Sequence, residues 1–324
     1  MRRREFIAAL GGAVAWPLRV RAQQPSKLWH IGMLETVPAD LNIPNLGALR
    51  RGLHDLGYVE GRDYVLDYRS ADGQPEQFPR LATELVREQV DLIVTRGTPA
   101  ARAARSATST TPIVMAAVGE ALGTIESLAH PGGNITGMSA FTTGLAAKRV
   151  ELVKELLSTA ARIAYLHNMR NPVAPPQWEQ TATAAHKLGI AADLYDVHAR
   201  DDIVRAVEGA IGKQTDALFV GNDTVTQENR SLIADFAVSN RLPTIYGARE
   251  FVDAGGLMSY STNYPQLYYE SARLIDKILH GAKAGDLPVE QPSRFALVIN
   301  LKTAKALDLS IPPTLLARAD EVIE

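Results

Sequence analysis

The chain has 324 residues, 46% hydrophobic and 22% charged, an ordinary globular composition with material for a sizeable core and an expectation of two domains. It contains no Cys, which excludes disulfides and thiol chemistry, and its formal net charge is −2. No uninterrupted apolar run reaches the roughly 20 residues that a membrane span needs, so a soluble mature protein is expected.

The N-terminus carries Arg2, Arg3 and Arg4, then Phe6 and Ile7, a short apolar core over 8–18, and small residues before Gln23. A basic segment, an apolar core and a small-residue cleavage site describe an export signal over residues 1–22, and the Arg-Arg-x-Phe-Ile arrangement resembles the twin-arginine type. Its removal takes away five Arg and one Glu and leaves a net charge of about −6, which argues against a nucleic-acid surface.

Beyond the signal, the pattern predicts alternating strands and helices. Residues 28–34 read as a strand, Leu46, Leu49, Leu53 and Leu56 as a helix stopped by Gly57, 64–68 as a strand, and Phe78, Leu81 and Leu85 as a second helix. The stretch Val90 to Ala107 is the most telling. An apolar strand over 91–95 runs into a Gly97 turn, with Thr98 expected as N-cap and Pro99 as first helical residue. That places a helix N-terminus, which favours an anion, at the carboxyl end of a strand, although the same residues suit a plain cap.

A strand at 112–117, a brief strand at 135–138 and a helix over 145–157 follow, with Lys148, Arg149, Glu151, Lys154 and Glu155 read as its solvated side. A second β-α series then starts at Ile163, with strands at 191–195, 217–220, 243–246 and 257–260, and a helix over 265–280. Strands and helices joined by short loops imply two α/β lobes with parallel sheets and a cleft between them. Asp223, just past a strand, would offer a carboxylate to a ligand ammonium or else start the next helix. Tyr246, Tyr260 and Tyr264 could stack on a ring or pack in the core.

No dinucleotide, Walker, serine-hydrolase or zinc-protease motif occurs, and the seven His are scattered, so neither an enzyme nor a bound metal or cofactor is expected.

Several stretches together match a known family: 52–61, 90–101, 127–137, Leu287-Pro288-Val289, 298–305 and 311–321. The chain resembles bacterial ABC transporter substrate-binding proteins of the tryptophan/tyrosine type. The resemblance implies a type I periplasmic binding protein fold: two Rossmann-like lobes joined by a hinge of crossings near 138–142, 260–263 and 285–292. The first lobe would comprise 27–140 plus 262–285, and the second 141–261 plus 286–324. It also implies a cleft lined by strand-to-helix loops, here Glu35, Thr36, Ala71, Gly97, Thr98, Gly119, Glu120, Asn168, Asp223, Tyr246 and Gly247. Where family members often have Asp-Pro, this chain has Glu120-Ala121. The function implied is that of the periplasmic solute-binding component of an ABC importer. A monomer would carry an amino acid or aromatic carboxylate to a membrane-embedded permease with its ATPase. A ligand-sensing receptor domain of the same fold and a periplasmic enzyme are the alternatives.

Overall fold

The computed structural model describes residues 27–324, so the expected export signal lies outside the described residues. The first lobe opens with β1 (Trp29–Glu35), α1 (Ile43–Asp55), β2 (Tyr64–Ser70), α2 (Phe78–Arg87), β3 (Leu92–Arg96), α3 (Thr98–Ala107), β4 (Ile113–Val118) and β5 (Ile135–Ser139). The strands form a five-stranded sheet in the order β2-β1-β3-β4-β5, parallel throughout.

Alternation along these strands sets the layers. Ile31, Met33, Leu92 and Val94 pack with Leu46, Leu49 and Leu53 of α1, while Leu34 and Ile93 pack with Phe78, Leu81 and Leu85 of α2 and the alanines of α3. Each such large side chain contributes about 1.5–3 kcal/mol by leaving water.

The chain then forms α4 (Ala146–Leu156), β6 (Arg162–His167), α5 (Ala174–Lys187), β7 (Ala191–Asp196), α6 (Arg200–Gly212), β8 (Ala217–Val220), α7 (Thr224–Glu228), α8 (Arg230–Ser239), β9 (Thr244–Tyr246), α9 (Glu250–Asp253) and β10 (Met258–Ser261). It returns to the first sheet for α10 (Tyr264–Leu279), then completes the second with β11 (Ala296–Asn300), α11 (Leu301–Ala306), α12 (Pro313–Leu316) and β12 (Glu321–Ile323). The second sheet runs β12-β11-β10-β9-β8-β6-β7, parallel except for an antiparallel β10·β11 pair. Helix α10 docks on α1, where Gly52 is required by close approach: a Cβ there would sit 2.6 Å from the Tyr269 carbonyl oxygen.

Three connections run side by side between the lobes. Ser139 N–H donates to the Glu290 carbonyl at 2.8 Å, and Thr262 Oγ1 donates to the Ala140 carbonyl at 2.8 Å. Short parallel connections of this kind are what a hinge needs, since few dihedrals must absorb a rotation.

One expectation is corrected here. Arg149 does not join the solvated side of α4, but is buried, donating from Nε to the Tyr260 carbonyl at 2.9 Å. It shares the inward stripe with Ala146, Val153 and Leu156. Burial pulls its guanidinium below its ordinary value, and Nη2 has no partner.

Candidate functional site

The carboxyl ends of β1, β3 and β4 face those of β6 and β8 across the cleft. Gly97 makes the first wall possible: at φ 83° it turns the chain sharply from β3 into α3 and donates its N–H to the Ala117 carbonyl at 2.8 Å. Gly97 is the N-cap, so Thr98 and Pro99 are the first two helical residues, one position earlier than expected. The first N–H groups of α3 have no acceptor within the helix, and the helix dipole makes this end positive.

Thr36, Gly97, Thr98, Pro99, Gly119 and Thr142 line one side of a cavity of about 30 Å³. The hydroxyls of Thr36 and Thr98 are buried there without hydrogen-bond partners. Asn171, Val173, Asn222, Asp223 and Gln227 line the opposite side, and Tyr264 closes one end. A space this small between the two walls means that the lobes lie close together in this conformation.

The second wall is held rigidly. Asp223 caps α7: Oδ1 accepts from Val225 N–H at 2.8 Å and Oδ2 from Asn171 Nδ2 at 2.9 Å. Gln227 Nε2 donates to Asn222 Oδ1 at 2.7 Å, and Asn222 Nδ2 donates to the Tyr264 hydroxyl at 2.7 Å. This chain ties the second lobe to α10, which packs on the first.

Arg96 supplies the charge. Its guanidinium is buried, lies 5.2 Å from the Tyr264 ring centre, and donates to Asn42 Oδ1 at 3.1 Å and Glu250 Oε1 at 2.7 Å. Burial alone would pull it down, but the opposed Glu250, with Tyr268 and Glu35 nearby, holds it above its ordinary value. Behind it, Glu35 accepts from the Tyr268 hydroxyl at 2.6 Å. Complete burial pushes the Glu35 carboxyl up to about 7 despite the pull of Arg96 in the opposite direction.

Of the residues singled out in the sequence, Thr36, Gly97, Thr98, Gly119, Asp223 and Tyr264 meet at this cavity. Glu35 stands one residue behind the wall. Glu120 lies just past Gly119, half-buried, with its carboxyl pushed up by burial. Asn168 lines a neighbouring hollow of about 250 Å³ with Glu76, Arg170 and His198, and meets His198 Nδ1 at 3.1 Å. Ala71 is packed in the first core, and Tyr246 stacks on Phe251 with ring centres 4.9 Å apart, because β9 is buried between its neighbours. Gly247 packs against the Asn222 backbone. Arg96, Thr142, Asn171 and Gln227 also line the cavity, beyond the residues expected from the sequence. Arg96 has a local signal, a cation at a strand end before Gly97, whereas Asn171 and Gln227 have none.

A larger cavity of about 470 Å³ lies on the other side of Tyr264. Size favours it. The smaller one has the strand carboxyl ends, the positive helix start, the unpartnered hydroxyls and the opposed carboxylate, and is the candidate site on those grounds. Among the described residues no group of three or more His, Cys, Asp or Glu could hold a metal ion, and no helix is long and apolar enough to cross a membrane.

Known proteins agree with this architecture. Residues 31–323 match the family described as ABC transporter substrate binding protein. The chain is 29% identical over 272 residues to a tyrosine-binding protein of Clostridioides difficile, covering 82% of this chain and 78% of that one. A Streptococcus pneumoniae ABC domain solved in complex with L-Trp is 29% identical at a TM-score of 0.84, covering 92% of this chain and all of that one. A conserved domain protein of Vibrio cholerae is likewise 29% identical, at a TM-score of 0.85 over 91% of this chain and all of that one. With the match running from β1 to β12, the chain belongs to the ABC transporter substrate-binding protein family and has the two-lobed fold of type I periplasmic binding proteins.

Proposed function

We propose that this protein is the solute-binding component of an ABC importer and that its ligand is an amino acid held as a zwitterion between the lobes. The observation that carries the ligand class is the pairing, across one cleft, of the positive start of α3 with the Asp223 carboxylate. A carboxylate would take the Thr98 side and an ammonium group the Asp223 side, so that the ligand touches both lobes and favours closure. Its relatives bind tyrosine and L-Trp by their names, which supports the same class here. The cavity of about 30 Å³ is too small for such a ligand as it stands, so the lobes open to admit it.

The protein is exported by the signal over 1–22, by the twin-arginine route, and works as a periplasmic monomer. It delivers the ligand to a membrane-embedded permease driven by an ATPase, and performs no catalysis.

A thermal-shift screen of the amino acids, with aromatic carboxylates and amines alongside, tests this reading. A ligand at 100 times its dissociation constant adds about 2.7 kcal/mol of stability. An amino acid should raise the melting temperature. A screen in which only amines or only carboxylates do so would overturn the zwitterion assignment.

A further inference from the structure

Beside the cleft the two lobes also meet along a seam, made by α7 and the start of α8 on the second lobe and by two loops of the first. One loop follows β2. Its Gly73, at φ 77°, lies so close to Glu228 at the end of α7 that a Cβ would stand 2.9 Å from Glu228 Cβ and Cγ. The other loop precedes α1, and its Leu41 carbonyl accepts from Arg230 Nη2 at 3.4 Å. The seam is continuous with the cleft walls: Gly73 N–H donates to the Thr36 carbonyl at 3.3 Å, and Gln227 precedes Glu228.

The charges along this seam are unbalanced. Asp72 precedes Gly73 and Asp40 precedes Leu41, so both contact points bring a first-lobe carboxylate towards Glu228. Glu228 Oε2 is buried there without a hydrogen-bond partner. The neighbouring cation, Arg230, is committed to carbonyls, donating from Nη1 to Gln227 at 2.9 Å and from Nη2 to Leu41. Arg200, on α6, turns its Nη1 to Asn229 Oδ1 at 3.5 Å. Among the described residues, none of the three acids stands in an ion pair.

Burial and then the Asp72 charge push the Glu228 carboxyl above its ordinary value, with Asp40 adding to them and Arg230 opposing. Since these acids belong to opposite lobes, opening separates them and returns Glu228 to water. A proton on Glu228 therefore favours the closed form, and its loss as pH rises disfavours it.

We propose that Glu228, facing Asp72 and Asp40 across the seam, is a pH-sensitive gate on lobe closure: uncharged it lets the lobes close, and charged it resists closure. The inference rests on the reading that the lobes open to admit a ligand, and not on which ligand that is. A ligand that needs closed lobes is then held more tightly in acid and released more readily towards neutral pH.

Small-angle scattering of the ligand-free protein between pH 8 and pH 4.5 tests the gate. The wild-type radius of gyration should fall as pH falls. Glu228→Gln keeps the shape and removes the charge, so it should be more compact than wild type at pH 8 and lose most of the pH dependence. Asp72→Asn removes the facing charge from the other lobe, and Asn tolerates the φ of 45° found there, so it too should be more compact than wild type at pH 8. A wild-type radius that does not change with pH would overturn the proposal. So would variants that melt like wild type and match its radius at every pH. A failed amino-acid screen alters none of these outcomes, because no ligand is present.

Discussion

Arg96 and Glu250, 154 residues apart, meet between the lobes: Nη2 of the first lies 2.7 Å from Oε1 of the second, with both side chains largely buried. One ends a strand of the first sheet and the other starts α9 beside the second. The pair joins the two lobes in this conformation, and Glu250 is the main opposed charge beside Arg96.

Glu250→Gln keeps the shape and removes that charge. Breaking a buried pair from one side costs about 3–5 kcal/mol if the remaining charge stays buried. Opening lets water reach Arg96, so the cost falls on the closed state rather than on folding. Small-angle scattering of the ligand-free variant should give a larger radius of gyration than wild type. Identical radii would show that the pair does not hold the lobes.

Glu35 makes stability fall with rising pH. Its native carboxyl titrates near 7 against an ordinary value of 4.5, so between these values the folded protein holds a proton that the unfolded chain gives up. Stability then declines as pH rises through this window and levels off above it, by about 3 kcal/mol in all. His167 works in the opposite direction, since burial pulls its imidazole down and its contribution is lost as pH falls below the ordinary 6.5. Comparing Glu35→Gln with wild type isolates the first effect. Urea midpoints at pH 8 should be higher for the variant and at pH 4, below the window, nearly equal; a constant difference at both would assign the effect to packing.

Export should depend on the paired arginines near the N-terminus. Replacing Arg3 and Arg4 by Lys should leave the precursor in the cytoplasm, measured by cell fractionation. Normal periplasmic accumulation would point to the general secretory route.

The elements legible in the sequence are those whose signal is local. The β3 strand, the Gly97 turn and α3 follow from an apolar run, a glycine at positive φ and a proline at the start of a helix, and only the cap position moved by one. For Arg149 two signals conflict: its spacing from Ala146, Val153 and Leu156 places it on the buried stripe, while its charge points to the opposite face. Glu250 gave no signal, because a four-residue helix is too short for periodicity and its partner comes from a distant strand. Asp223 could be read as a cap or as a ligand group. The structure makes it a cap while leaving it on the cavity wall.

That double position decides the most direct test. Asn is as good an N-cap as Asp but turns an amide NH2 toward Asn171 Nδ2 in place of Oδ2, so Asp223→Asn should lower the stability of the ligand-free protein by about 1 kcal/mol, the contribution of one hydrogen bond. Against the amino acid identified by the thermal screen, calorimetric titration of wild type and Asp223→Asn should show affinity weakened by about 1.5–3 kcal/mol, the contribution of a charged hydrogen bond. Equal affinities in the two proteins would contradict a zwitterion held between the start of α3 and Asp223.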